Sequence, residues 1–585
     1  MNTVSRVLAA AALGVGSSVA QPAASIDWVG LWEASRSFGP EVRGEIVFTE
    51  GSGKWVAEVS GFRVDVTSSG GAYTFELPGN RGAFRGKFVG EELRGFWIQP
   101  PTVVSGRSYA SPVTLRKSLG HWRGEVRPLD ADFTFYLPVT RAADGGLAAY
   151  LRNPQRNVGV FDRVERLEPD GERVRLVGVR GAREEKVTLF EGRVANGRFA
   201  VPFTNRGGLY EFSKTDAPLS AFHPRGRNPP RYRYTRPIAR DDGWPVATLE
   251  EVGISRPAIE ALVQRLAHAP QKSLGDGQVH SVLVARHGKL VLEEYFHGHH
   301  RDMAHDLRSA AKSIASALVG AAMQAGIKVS ESTPVYETML ERLPQDIDPR
   351  KRAMTLGHLL TMTGGHYCDD NDENAPGNED VMQEQSREPD WYRYILALPM
   401  DRTPGEKLVY CSVDAHLAGG VLARAAGEPL PELFDRLMAR PMKMGPYHMM
   451  LSPTGDGYMG GGSQLVPRDF LKIAQLMASG GQWQGKRIFS AEWARRSGEG
   501  LREVMKDQRY GYLWNTYEYP YKGRRVHAVF AAGNGGQISM AIPELGLAIA
   551  FTGGSYNMRS LFIPQRELIP QLILPAVQDT RRGAP

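Results

Sequence analysis

The sequence predicts an α+β lobe over residues 244–585, an antiparallel sheet covered by helices beside an all-helical region, preceded by an all-β domain over residues 26–215. That first domain reads as one barrel or as two similar halves. Three observations support the prediction. From about Asp27 to Tyr210, short alternating runs such as Gly44-Glu45-Ile46-Val47-Phe48 and Arg173-Val174-Arg175-Leu176-Val177 are separated by Gly, Asn and Asp clusters, and helical periodicity is nearly absent. Strand-like text then recurs at both ends of the lobe, with helix-rich text between, the pattern of one sheet assembled from distant segments. Residues 216–243, rich in Pro and Arg, separate the two regions and read as a stiff, solvated linker.

Taken in order, residues 1–20 pair Arg6 with a short apolar run, Val7 to Val15, and end in Ser18-Val19-Ala20. This reads as a secretory signal peptide and predicts export to the periplasm or beyond. No run is long enough to span a bilayer, so stable membrane insertion is not expected. Trp28 and Trp32 open the β region, and Gly120-His121-Trp122-Arg123-Gly124 reads as the start of a second half. Trp28, Trp32, Trp97 and Trp122 could together stack on a sugar, but core packing is the expectation.

After the linker, Leu249 to Leu266 reads as a helix, and His280 to Phe296 as a hairpin turning at His287-Gly288 with Val282 and Val284 facing the core opposite Leu290 and Leu292. Ala310 to about Ala325 reads as a helix, because Ile314, Leu318 and Ala322 recur every four residues and Gly326 follows as a stop. Helix-rich text runs on to about Arg496. Strands return at Val526 to Ala532, Gln537 to Ile542 and Ala548 to Phe551, and the tail from Ser560 to Val577 reads as an amphipathic helix lying back on the sheet despite Pro564 and Pro570.

The formal charge is +7, and the basic run from Arg225 to Arg236 interleaves tyrosines as single-strand binders do. Export, together with Pro229, Pro230 and Pro237, favours a linker instead, so no nucleic-acid partner is expected. The only two cysteines, Cys368 and Cys411, either pair in an oxidising compartment or remain two free buried thiols.

The chemistry begins at Ser309, at the start of the 310–325 helix. Lys312 lies three residues on, so it projects from the same face and its amine can reach the Ser309 hydroxyl. A serine hydroxyl is a weak nucleophile until a neighbour takes its proton, and a lysine does so only when its pKa is lowered. The Ala, Ile, Leu and Val of the surrounding turns offer the burial that would lower it. S-x-x-K matches are common by chance, so the rest of the chain has to decide.

Two further segments follow in order, Pro404-Gly405-Glu406-Lys407-Leu408-Val409-Tyr410-Cys411-Ser412 and Ala532-Gly533-Asn534-Gly535-Gly536-Gln537. With the S-x-x-K helix they resemble the three ordered boxes of the serine β-lactamase and penicillin-binding-protein superfamily. The likeness is greatest to its class C-like branch, which includes esterases, D-amino-acid peptidases and 6-aminohexanoate-dimer hydrolases. Thr355-Leu356-Gly357-His358-Leu359-Leu360-Thr361-Met362-Thr363-Gly364-Gly365 and Gly460-Gly461-Gly462-Ser463-Gln464-Leu465 add to the resemblance, which covers roughly Trp244 to Leu574.

The resemblance implies a serine hydrolase acting on a small ester or amide through an acyl-enzyme on Ser309, with Lys312 as base, Tyr410 as proton relay and no cofactor. It implies an oxyanion held by the backbone N–H of Ser309 and by one near Gln537, in a register the glycines leave open to Gly536, with Ser412 and Asn534 lining the substrate site. A bridge between Cys368 and Cys411 would pin the loop after Gly365 beside Tyr410. Two departures matter. Tyr-Cys-Ser stands where Tyr-x-Asn is commoner, and Asn534 or a glycine stands where the family has Lys or His, a cation that helps to recognise a substrate carboxylate. An ester or uncharged amide is therefore expected rather than a β-lactam. The alternative reading is an inactive relative that binds an envelope ligand through its N-terminal β domain.

Three other signals are set aside. Gly455-Asp456-Gly457-Tyr458-Met459-Gly460 fits G-x-G-x-x-G but lacks a βαβ setting, and reads as a loop against the active site. His297-Gly298-His299-His300 with His305 could bind zinc, but reads as a solvated loop, and no metal is expected. Asp369-Asp370-Asn371-Asp372-Glu373-Asn374 lacks the Gly and Glu of a calcium loop and reads as acidic surface.

Overall fold

The computed structural model describes residues 26–181, 185–505 and 507–578. The proposed signal peptide, residues 1–20, lies outside them. Among the described residues, no helix is long and apolar enough to cross a membrane.

The N-terminal region is two closed barrels. Strands Gly44–Gly51, Lys54–Val59, Phe62–Ser69, Ala72–Glu76, Ala83–Val89, Glu92–Gln99, Tyr109–Ser118 and His121–Val126 pair antiparallel in sequence order, and the last returns to pair with the first. The second barrel takes Gly30–Ser37 as its first strand and continues with Asp132–Arg141, Leu147–Ala149, Asp162–Asp170, Arg173–Arg180, Val187–Ala195, Arg198–Phe203 and Gly208–Thr215, which closes onto Gly30–Ser37. The first barrel is thus inserted after the first strand of the second. The segment around Trp122, expected to open a second half, is instead the closing strand of the first barrel. Closure removes exposed sheet edges, and which strand completes each ring depends on pairing between distant segments that local alternation does not reveal.

Both barrels are filled. Ile46, Phe48, Phe84, Leu93 and Val113 pack the first, and Phe135, Leu176, Val201 and Phe212 the second. Trp97 is buried in the first barrel and Trp32 in the second, while Trp122 packs on Trp55 and Trp28 on Phe199, so the four tryptophans share no platform.

The lobe holds an eight-stranded antiparallel sheet in the order Lys289–Tyr295, Val279–Arg286, Leu547–Gly553, Gln537–Ile542, Arg524–Gly533, Asn515–Tyr521, Gln508–Tyr510 and Arg502–Met505. The last three strands extend it beyond the segments anticipated from alternation. Helices α1 (Arg256–Ala267), α2 (Ala311–Gln324), α3 (Ser412–Ala426) and α4 (Pro467–Ala478) are the long ones among the described residues. One face of the sheet packs with α2 and α4, burying Leu283, Ala285 and Leu290; the other packs with α1 and the C-terminal tail, burying Val282, Val284 and Leu292.

Leu290 and Leu292 therefore face opposite sides. Val284 pairs with Leu292 while Ala285 pairs with Leu290, and this bulge, which leaves Val291 extra, breaks the expected alternation. In the tail, Pro564–Ile573 winds with the wider i→i+5 bonding, which tolerates the N–H that Pro570 lacks, and buries Ile569 and Ile573 against Ile259 and Leu262.

Residues 216–243 are not solvated along their length. Phe222 and Tyr234 are buried, Arg225 and the Tyr232 hydroxyl both engage Glu294, and Asp242 pairs with buried Arg468 at 2.8 Å. The lobe supplies the carboxylate that draws this basic, aromatic segment onto its surface. The His297–His305 loop is likewise tucked in, with His297 and His305 buried.

Tyr447–Met450 of the lobe pairs with the Tyr109–Ser118 strand of the first barrel, and His448 Nδ1 lies 2.7 Å from the Ser111 hydroxyl. Burial pushes His448 down to about 4 and His416, stacked on Tyr392 in α3, to about 3. Both are neutral when folded, whereas the unfolded chain protonates them near 6.5. Stability is therefore unaffected above pH 6.5 and falls as pH drops toward the folded values. Each should cost about 2 kcal/mol by pH 5. Urea denaturation of wild type and His416→Leu at pH 7 and pH 5 should show a smaller acid loss in the variant; parallel losses would remove His416 from the account.

Candidate active site

The site is built where α2 meets the end of the Arg524–Gly533 strand. A single 3-10 turn, Arg308–Ala310, precedes α2. Arg308 adopts a left-handed φ of 51°, held because its N–H donates to Asp306 Oδ1 at 2.9 Å while its guanidinium pairs with the same carboxylate and lies over Tyr556. Gly533 abuts this turn. A Cβ there would sit 2.2 Å from the Leu307 carbonyl oxygen, so only glycine lets the strand end approach the Ser309 backbone.

Ser309 is half-buried and Lys312 fully buried. Lys312 Nζ donates to Ser309 Oγ at 3.0 Å and to the Gly460 carbonyl at 2.5 Å, and lies 5.0 Å from the centre of the Tyr410 ring. Gly460 belongs to the glycine loop expected against the active site. The surroundings of Lys312 are less apolar than anticipated. Burial alone would lower its pKa, but Tyr410, Glu379 and Asp370 outweigh burial and raise it above the ordinary lysine value. Lys312 is therefore an ammonium in the resting site, and the expectation of a partly uncharged amine is corrected.

Tyr410 lies just before α3. Its segment is held by the Val409 N–H on the Met362 carbonyl at 3.0 Å, and its own carbonyl accepts the Asp370 N–H at 3.0 Å. A disulfide joins Cys368 to Cys411, Cα atoms 5.8 Å apart, and brings the 368–378 loop beside Tyr410. The loop it closes spans a separation of 43 residues, for which chain entropy gives a stabilisation of about 4 kcal/mol. The double variant Cys368→Ser/Cys411→Ser is expected to lose most of that in chemical denaturation, and wild type in reductant should match it. A loss below about 1 kcal/mol would show that the unfolded chain is not restrained by this bridge.

Ser412 does not open toward a substrate. It starts α3, fully buried, with its N–H and hydroxyl donating to Asp370 Oδ2 at 2.8 and 2.6 Å and the hydroxyl also reaching Glu379 Oε2 at 3.1 Å. Tyr458 donates to the other Glu379 oxygen at 2.6 Å. Burial pushes Asp370 up to about 6, with Lys312 opposing and Glu379 adding to the rise. Asp370, read from the sequence as part of an acidic surface loop, is thus turned inward against Ser412 and Lys312, and Glu379 carries no signal of its own in the sequence. The signal available was its place two residues after a cysteine that can be tethered to Tyr410.

In the third segment, Gln537 is fully buried and its side chain bonds the backbone of Gly553 and Asn534. Asn534 exchanges hydrogen bonds with Asn557, and the Gly536 N–H lies 3.3 Å from the Gly533 carbonyl. The backbone that abuts the turn around Ser309 is that of Gly533, where a Cβ would lie 3.1 Å from the Ala310 nitrogen.

The family model described as Beta-lactamase matches residues 264–556. The 6-aminohexanoate-dimer hydrolase of Paenarthrobacter ureafaciens is 26% identical over 256 residues, 43% of this chain and 64% of that protein, so the chain spans less than two thirds of the length of that curated relative. Among solved structures, EstCE1, a hydrolase with promiscuous acyltransferase activity, is 16% identical with a TM-score of 0.42, covering 55% of this chain and 97% of its own. A family VIII carboxylesterase is 17% identical with a TM-score of 0.40, covering 54% and 94%.

Proposed function

The chain belongs to the beta-lactamase family, and from that premise we propose that it is a serine hydrolase that cleaves an ester or uncharged amide through an acyl-enzyme on Ser309. The observation that carries this reading is the 3.0 Å contact between Lys312 Nζ and Ser309 Oγ at the head of α2, with the Tyr410 ring centre 5.0 Å from the same ammonium. With Lys312 protonated, Tyr410 acts in its phenolate form, paired with the ammonium: it takes the Ser309 proton as Oγ attacks the carbonyl carbon and becomes a neutral phenol, while the negative charge passes to the carbonyl oxygen. Tyr410 then returns the proton to the leaving group. The oxyanion meets the Ser309 N–H and a second backbone donor from the bend after Gly533. Asn534 offers no cation for a substrate carboxylate, which supports a neutral ester or amide over a β-lactam. Residues 244–585 are taken as the hydrolase unit and the chain as exported; the disulfide supports export.

A fluorophosphonate probe tests the reading. It should form a stable adduct that peptide mass mapping places on Ser309, absent from Ser309→Ala, and wild type should turn over a chromogenic ester or anilide. No adduct at Ser309, with no turnover on either substrate class, would overturn it.

A further inference from the structure

Four histidines meet behind the Ser309 turn. His280 comes from the Val279–Arg286 strand; His297, His299 and His305 come from the loop that leaves the hairpin and leads into Arg308 and Ser309. One ring nitrogen from each of His280, His299 and His305 lies within 4.8 Å of the other two. His280 and His305 are buried, while His299 is half-buried. His297, His299 and His305 line a cavity of about 1320 Å³ between the barrels and the lobe, which Ser309, Lys312 and Tyr410 do not line.

We propose that His280, His299 and His305 form a zinc-binding site whose fourth position is supplied by water from this cavity. The orientation of His305 fits a ligand. Its Nδ1 lies 3.2 Å from the Asp306 carbonyl, which can only accept, so Nδ1 carries the proton and Nε2 presents a lone pair. A backbone carbonyl holding one nitrogen so that the other faces the metal is the usual support of a metal-bound imidazole. That Nε2 faces His280 Nδ1 at 2.9 Å, and the His299 ring stacks on His280 with centroids 3.9 Å apart. Hydrogen bonding within the protein accounts for only one nitrogen of His280: Nδ1 meets His305, whereas Nε2 is buried without a partner.

The nitrogen shifts needed are short, and His299 must also turn out of its stack on His280, because the metal lies in the plane of each ligating ring. Zinc–nitrogen bonds of about 2.0–2.1 Å in tetrahedral geometry set ligand nitrogens about 3.4 Å apart, so His280 and His305 separate by about 0.5 Å and His299 closes by at most about 1.4 Å. Three neutral imidazoles with no carboxylate favour zinc over magnesium or calcium. The ion would tie the loop carrying Arg308 and Ser309 to the central sheet without touching the reacting atoms. This departs from the sequence expectation of no metal, because His280 is brought to the loop only by folding.

The test uses the untagged full chain, stripped with a chelator and titrated with zinc against a chromogenic competitor. One zinc per chain is expected, with a rise in Tm, and His299→Ala, folded by circular dichroism, should bind at least about a hundredfold more weakly. His121→Ala, in the first barrel, should bind like wild type. Should His299→Ala not fold, cobalt(II) added to the stripped wild-type chain decides: intense visible bands of a four- or five-coordinate nitrogen site are expected. No uptake at one per chain, uptake unchanged in His299→Ala, or a cobalt spectrum like that of the hydrated ion would overturn the proposal.

Discussion

Lys312→Ala is expected to lower kcat/KM by about two to four powers of ten, the range for loss of a group that acts in proton transfer. The ammonium bonds Ser309 Oγ and the Gly460 carbonyl at once, so its removal takes from the nucleophile its one side-chain partner among the described residues and unties the glycine loop. It also leaves Asp370 and Glu379 facing one another without the charge that opposes them. Lys312→Gln separates these effects, because an amide can still donate to the Gly460 carbonyl while carrying no charge. Similar losses in both variants, measured on a chromogenic ester, would assign the effect to the charge. Near-normal turnover in either would remove Lys312 from the reaction.

The contact between Ser309 and Lys312 is legible in the sequence because three residues of helix fix it locally, whatever the rest of the chain does. The electrostatics around that contact are not. Asp370 and Glu379 arrive from a loop that reaches Lys312 through a disulfide and the Ser412 cap, and the apolar text of α2 gives no hint of them. The charge state of Lys312 is therefore misjudged from its own helix and corrected only by its non-local neighbours. The third segment leaves its register open for a different reason. Gly533, Gly535 and Gly536 have no side chains to alternate between faces, and alternation is what specifies register, so the strand position beside Ser309 cannot be read there.

The fold shows the same division. The central sheet is foreseeable from buried strands at the two ends of the lobe, whereas the bulge at Val291 and the three strands after Arg502 depend on partners far along the chain. In the barrels, strands such as Gly44–Gly51 and Arg173–Arg180 are recognisable alone, but the ring to which Gly30–Ser37 and His121–Val126 belong is decided by closure.

Tyr410→Phe is expected to lower kcat/KM by about a hundredfold or more. The substitution keeps the ring that lies over the Lys312 ammonium and packs against Tyr510, and deletes one oxygen, so the fold should be little changed and the loss reports proton transfer. The residual activity carries a sharper signature. Burial pushes the Lys312 pKa down, and Tyr410 is the foremost of the groups that push it back up; without the hydroxyl, burial weighs more and the amine gives up its proton at lower pH. A neutral Lys312 can then take the Ser309 proton directly. The activity of Tyr410→Phe should therefore rise more steeply from pH 7 to pH 9 than that of wild type, after correction for spontaneous hydrolysis of the ester. Turnover close to wild type at pH 7 would end the role assigned to Tyr410. A low activity with the wild-type pH profile would instead mean that the proton does not reach Lys312 when the phenol is gone.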